Sequence, residues 1–126
     1  MLLRALDVIK VYDKSIDPAN WKRVVCICPS EGLFYRINSY DDYPIGVFLP
    51  MEPHHSAFLK WDSYIECGKY PIELDDYTIE KALDSNNGRV LGCINIIHAP
   101  EICAAVQLQK TISNDVKALI KSALGC

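Results

Sequence analysis

The feature that most restricts the fold is a pair of apolar runs split by a tight turn. Arg23-Val24-Val25-Cys26-Ile27-Cys28 and Leu33-Phe34-Tyr35-Arg36-Ile37-Asn38-Ser39 flank Pro29-Ser30-Glu31-Gly32. Proline presets one turn dihedral and glycine tolerates positive φ, so this stretch is expected to be an antiparallel hairpin. Strand alternation sets Leu33, Tyr35, Ile37 and Ser39 on one face and Phe34, Arg36 and Asn38 on the other. A chain of 126 residues fits one compact domain, and a single core is the expectation.

The remaining segments are short. Asp7-Val8-Ile9-Lys10-Val11-Tyr12 is rich in β-branched residues and precedes a polar loop from Asp13 through Ser15 to Asn20, as a strand would. The same opening is also compatible with an amphipathic helix carrying Leu2, Leu6 and Ile9 on one face, and periodicity leaves both open. Further strands are expected at Gly46-Val47-Phe48-Leu49, at Ser63-Tyr64-Ile65-Glu66-Cys67, near Tyr70-Pro71-Ile72-Glu73-Leu74 and at Arg89-Val90-Leu91-Gly92-Cys93-Ile94, with Pro71 marking an edge or a break. Asp75 or Asp76 can cap a short helix through Ile79 and Leu83 that Asn86-Asn87-Gly88 ends. Pro100 suits the first turn of a helix with Ile102, Ala105 and Val106 inward. Ser113 can cap a last helix with Val116, Leu119, Ile120 and Ala123 on one face, stopped by Gly125. Short strands and terminal helices without βαβ alternation indicate a mainly β, α+β domain: a small antiparallel barrel or curled sheet with helices packed on it.

The balance of 50% apolar and 23% charged residues excludes a disordered, collagenous or repeat-array chain. The net charge of -3 argues against a general nucleic-acid coat, and the charge is uneven along the chain. Residues 1 to 39 sum to +2, residues 40 to 80 to -7 and residues 81 to 126 to +2. The acidic middle (Asp41, Asp42, Glu52, Asp62, Glu66, Glu73, Asp75, Asp76 and Glu80) is either a solvated face or a docking surface for a basic partner segment. Cys26, Cys28, Cys67, Cys93, Cys103 and Cys126 contain no C-x-x-C pair, and Asp7 interrupts the amino terminus before any run long enough for a signal peptide. Free thiols packed as small hydrophobes, a cytoplasmic location, no metal and no cofactor are the expectation. No apolar run approaches the roughly 20 residues of a membrane helix.

The order of segments is similar to that of the PemK/MazF-like toxins. Asp7-Val8-Ile9-Lys10-Val11 resembles their Gly-Asp-Ile strand, Lys22-Arg23-Val24-Val25-Cys26-Ile27 their Arg-Pro-Val-x-Val strand, and Tyr35-Arg36-Ile37-Asn38-Ser39 their Ile-Thr-Ser strand end. Leu59-Lys60-Trp61-Asp62-Ser63-Tyr64-Ile65 resembles the family's Asp-Ser strand, and Arg89-Val90-Leu91-Gly92 the segment before its terminal helix. The resemblance implies an SH3-like barrel, usually a homodimer, that cleaves single-stranded RNA without metal and is neutralised by a small antitoxin protein.

Metal-free RNA cleavage needs a base for the ribose 2′-OH, a cation for the phosphate and an acid for the leaving oxygen. Arg23 stands where the family has its arginine and would be the phosphate clamp, beside Lys22; its other reading is a solvent-facing arginine at a strand end. The chain departs from the pattern at Val24, where the family has proline, and at Asn38, where it has threonine, while Ser39 is kept. His54 and His55 are candidate bases or RNA contacts if not simply exposed, and His98 sits at a helix entrance. No local signature supports pairing a histidine with any of the thiols as a nucleophile. Tyr35, Tyr40 and Tyr43 beside Arg36 would form a base-stacking platform or else pack as core and cross-strand pairs. Two readings follow: a toxin-like endoribonuclease using Arg23 with Ser39 or a loop histidine, Asn38 standing in the same catalytic set, or a barrel of the same type that has lost catalysis and serves as a binding or regulatory module.

Overall fold

A run such as Val24-Val25-Cys26-Ile27-Cys28 presents apolar side chains to both faces of a strand, so it is stable only at the centre of a covered sheet. In the computed structural model, which describes residues 3–14, 16–40 and 46–126, β2 (Asn20–Cys28) takes that place. It lies between β1 (Asp7–Asp13) and β3 (Leu33–Asn38), antiparallel to both. β4 (Val47–Leu49), β5 (Ser63–Ile65), β6 (Ile72–Glu73) and β7 (Gly92–Cys93) complete the sheet in the order β4-β5-β3-β2-β1-β7, with β6 also on β3. Every pairing is antiparallel, and the sheet curls into a half-barrel whose outer strands β4 and β7 do not meet among the described residues.

Each face of the sheet has its own core. Val25, Ile27, Tyr35 and Ile37 pack with Ile65, Ile102, Val106 and Ile120, so α2 (Ala99–Leu108) and α3 (Asn114–Leu124) cover that side. Val24, Cys26 and Phe34 pack on the other side with Ile9, Val11, Ala82 and Leu83, beneath α1 (Asp76–Asp84). Leu33, Tyr35 and Ile37 thus fall on one side and Phe34 on the other, as alternation requires. β1 is a strand because β2 and β7 take its two edges and bury Val8, Ile9 and Val11, an outcome that helical periodicity in the same residues could not compete with.

The turn at Pro29–Glu31 is a short 3-10 turn closed by Gly32 at φ 63. Pro71 confines the strand expected at residues 70–74 to Ile72–Glu73, and the one expected at residues 89–94 shortens to Gly92–Cys93. The Asp75 carboxylate accepts from the Thr78 N–H at 2.8 Å, and the Ser113 hydroxyl accepts from the Val116 N–H at 3.2 Å. Gly125 ends α3 at φ 73. No helix among the described residues is long and apolar enough to cross a membrane. Leu2, Ser15, Asp41, Asp42 and Tyr43, which figure in the expectations above, lie outside the described residues.

The expectation of six free thiols is corrected. Cys103 and Cys126 are joined by a disulfide, leaving Cys26, Cys28, Cys67 and Cys93 free. The pairing is a tertiary event, since α2 and α3 pack together and carry the end of the chain back to the side of α2, across a separation of 23 residues.

The α1 cap yields a pH prediction. Hydrogen bonds from the Thr78 side chain and backbone hold the Asp75 carboxyl below its ordinary value of 3.8. A carboxyl whose value is lowered on folding stabilises the fold fully above the unfolded value and ceases to do so as pH falls through the lowered one. Asp75→Asn keeps a capping oxygen without the titrating group. Acid titration followed by circular dichroism is expected to show a shallower loss of helix in this variant than in the wild type below about pH 4; superimposable curves would remove the role given to Asp75.

Candidate functional site

The site grows from a parting of strands. β2 and β3 stay paired only as far as Val24 opposite Arg36. On one side of that point β2 continues along β1, with Arg23 opposite Lys10 and Lys22 opposite Val11. On the other, β3 turns to β5, pairing Ile37 with Ile65 and Asn38 with Tyr64. The wedge between them is an open cleft of about 280 Å³, with Trp21, Lys22 and Arg23 on one wall, Asn38, Ser39 and Tyr40 on the other, and Phe58, Leu59, Lys60 and Trp61 closing it.

A polar chain ties the two walls together. Lys22 Nζ donates to Asn38 Oδ1 at 3.2 Å, and Asn38 Nδ2 donates to Glu66 Oε1. Asn38 and Glu66 are both buried, so the Asn38 amide is engaged as a spacer between a cation and an anion. Arg23 differs from Lys22: its Nε is buried and finds no partner among the described residues. A buried N–H without an acceptor costs about 1–3 kcal/mol, which an anion in the cleft would offset. Among the described residues no acidic side chain lines the cleft, whereas Lys22, Arg23 and Lys60 do. Trp21 is 46% exposed, Tyr40 58% and Trp61 59%, so aromatic surface is open beside these cations.

Five of the residues named from the sequence meet here: Lys22, Arg23, Asn38, Ser39 and Tyr40. Arg36, Tyr35, His54 and His55 do not. Arg36 turns away to Asp13, with Nε 2.6 Å from Oδ2. Tyr35 is 1% exposed within the core, where burial pushes its hydroxyl well above the ordinary tyrosine range, so it offers no platform to a base. His55 is fully buried: its Nδ1 donates to the Pro50 carbonyl at 2.8 Å and its Nε2 accepts from the Asn95 N–H at 3.0 Å. His54 is exposed, with Nε2 3.7 Å from Cys93 Sγ. The histidines therefore stand apart from the cleft, Phe58 lying between His55 and its interior.

Trp21, Lys60 and Trp61 were missed as site residues, although Trp21-Lys22-Arg23 and Lys60-Trp61 set an aromatic directly beside a cation. That adjacency was the available signal. The acidic middle proves dispersed: Glu66 is buried beneath Asn38, Asp75 caps α1, Asp62 accepts from the Met51 N–H, and Asp76 and Glu80 are exposed on α1. Among the described residues, Glu52, His55 and His98 form a group able to hold a metal, each offering a donor atom within 4.8 Å of the others.

Chemically the cleft can hold an anion on Arg23 and stack flat rings on Trp21, Tyr40 or Trp61. It offers hydroxyls from Ser39 and Ser63 but, among its described lining residues, no imidazole or carboxylate to serve as a base. Comparison with protein-family models, curated proteins and solved structures finds no match to the chain.

Proposed function

We propose that the cleft binds single-stranded RNA. The observation that carries this reading is the unpartnered Arg23 Nε beside Trp21 and Trp61, a cation and stacking surfaces in one groove without a lining acid among the described residues. A guanidinium takes a phosphate through parallel donors, and exposed indoles accept any base, so the pair suits a flexible strand whose bases are unpaired. The segment order supports an SH3-like barrel related to the PemK/MazF-like toxins, and with it a homodimer and a small neutralising protein partner. Cleavage in that setting would draw on Arg23 to stabilise the phosphate and on the Ser39 hydroxyl in the cleft lining. The engagement of Asn38 by Lys22 and Glu66, and a described lining without a base, favour the second of the two sequence readings: a barrel that retains RNA binding as a regulatory module.

Both tryptophans of the chain line the cleft, so intrinsic fluorescence reports on it directly. Titration with mixed single-stranded RNA is expected to quench that fluorescence. Arg23→Ala should weaken binding about tenfold and lower the salt dependence by about one phosphate contact, with Arg23→Lys recovering part of the loss. Trp61→Ala should cost about 1–3 kcal/mol. The same mixtures, incubated without metal and resolved on a gel, separate binding from cleavage. RNA that leaves the fluorescence unchanged, or Arg23→Ala binding as tightly as the wild type, would overturn the assignment.

A further inference from the structure

We propose that Glu52, His55 and His98 form a binding site for one divalent transition-metal ion of the zinc type. They come from separate places. Glu52 immediately precedes the short turn Pro53–His55, which carries His55, while His98 ends a second short turn, Ile96–His98, at the start of α2. The fold closes the distance because β7, on the edge of β1, leads straight into the His98 turn and lies against the His55 turn. The two imidazoles then sit with ring centroids 5.6 Å apart.

The hydrogen bonds prepare both rings for coordination through the same nitrogen. His55 Nδ1 faces the Pro50 carbonyl, which can only accept, so Nδ1 carries the proton and Nε2 the lone pair. His98 Nδ1 lies 2.8 Å from Glu101 Oε1, which likewise places its proton on Nδ1. A histidine that donates from one nitrogen to a carbonyl or carboxylate and ligates with the other is the usual arrangement around protein-bound zinc. His98 supplies the second observation: its side chain is 6% exposed, and Nε2 is buried without a hydrogen-bond partner among the described residues. A buried imidazole nitrogen left without a partner calls for a proton donor or a cation. Glu52 adds the negative charge, its Oε1 held by Asn95 Nδ2 at 3.1 Å.

Two nitrogens and a carboxylate oxygen make a donor set suited to zinc, and three protein ligands leave a fourth position for water or a small ligand. Ligands on a tetrahedral ion stand about 3.4 Å apart, so a cation would draw together side chains that each already hold a donor atom within 4.8 Å of the others. One existing contact is exchanged in the process. His55 Nε2 gives up the Asn95 N–H, which makes that amide a reporter of occupancy.

The test uses untagged full-length protein stripped with a chelator and titrated with zinc at about pH 7.5, where free histidine is neutral. One equivalent is expected to bind in competition with a chromophoric chelator, with a rise in Tm and a shift of the Asn95 amide resonance. Glu52→Gln and His98→Ala should each weaken binding by about tenfold or more. Glu52→Gln retains an oxygen for Asn95, so it decides the matter if His98→Ala fails to fold. Cys93→Ser, which removes the exposed thiol beside His54, should leave affinity unchanged, and the cobalt-substituted protein should lack thiolate-to-metal absorption. Absence of binding below about 100 μM zinc, or binding that follows Cys93 and ignores Glu52, would overturn the site; RNA binding in the cleft stands or falls separately.

Discussion

Gly32→Ala is expected to destabilise the protein by about 3–5 kcal/mol and to lower Tm by roughly 10–20 °C. Gly32 sits at φ 63, in the left-handed region that side-chain-bearing residues adopt only at a cost of about 1–2 kcal/mol. It is also the point where another strand closes on the turn: the Leu74 N–H donates to the Gly32 carbonyl at 2.9 Å, and an added Cβ would lie 2.4 Å from the Leu74 carbonyl oxygen. That oxygen belongs to the backbone, so relief requires the end of β6 to move away and give up its contact with the hairpin. Gly88→Ala separates the two effects. Gly88 also has a positive φ, of 74, but nothing stands within 4 Å of a Cβ there, so only the backbone cost of about 1 kcal/mol should appear. Urea unfolding of both variants is the measurement, and equal losses would show that the close approach of Leu74 contributes nothing.

Breaking the Cys103–Cys126 disulfide is expected to cost about 3 kcal/mol, the chain-entropy value for a loop closed across 23 residues. Freshly purified protein, unfolded without reductant, should titrate four thiols; six would mean that the cross-link does not form. In the folded state one of the four should react fast. Cys93 is exposed, whereas Cys26, Cys28 and Cys67 are buried. Burial, aided by the charges of Asp7 and Cys28, pushes the Cys26 thiol up to about 12, and burial raises Cys67 further still. Cys126→Ser should reproduce the reduced protein's Tm and make it insensitive to reductant; a variant as stable as the oxidised wild type would remove the role given to the bond.

Much of the fold was legible because its signals are local. Pro29 and Gly32 bracket the hairpin, Asp75 and Ser113 cap their helices, and Gly125 stops the last one through short-range geometry and hydrogen bonds that neighbours in sequence supply. The opening strand was ambiguous for the converse reason. Residues 7–12 satisfy two periodicities, and the choice falls to pairing with β2 and with the distant β7, neither of which lies within the segment itself.

The candidate site divides in the same way. Lys22 and Arg23 precede the apolar half of β2, while Asn38 and Ser39 end the apolar run of β3, so a hairpin is enough to make them neighbours. Local patterning could not show that the strands part at Val24 and Arg36, since β1 and β5 draw them in different directions. Nor could it show that Lys60 and Trp61 close the opening, or that His55 is buried beside His98 while Arg36 turns away to Asp13. Residue type and spacing thus settled turns, caps and strand faces, whose energies act over a few residues. The cleft, the His55–His98 pair and the Cys103–Cys126 bond depend on which distant segments the sheet and helices bring into contact, and that is set by burial of the whole chain at once.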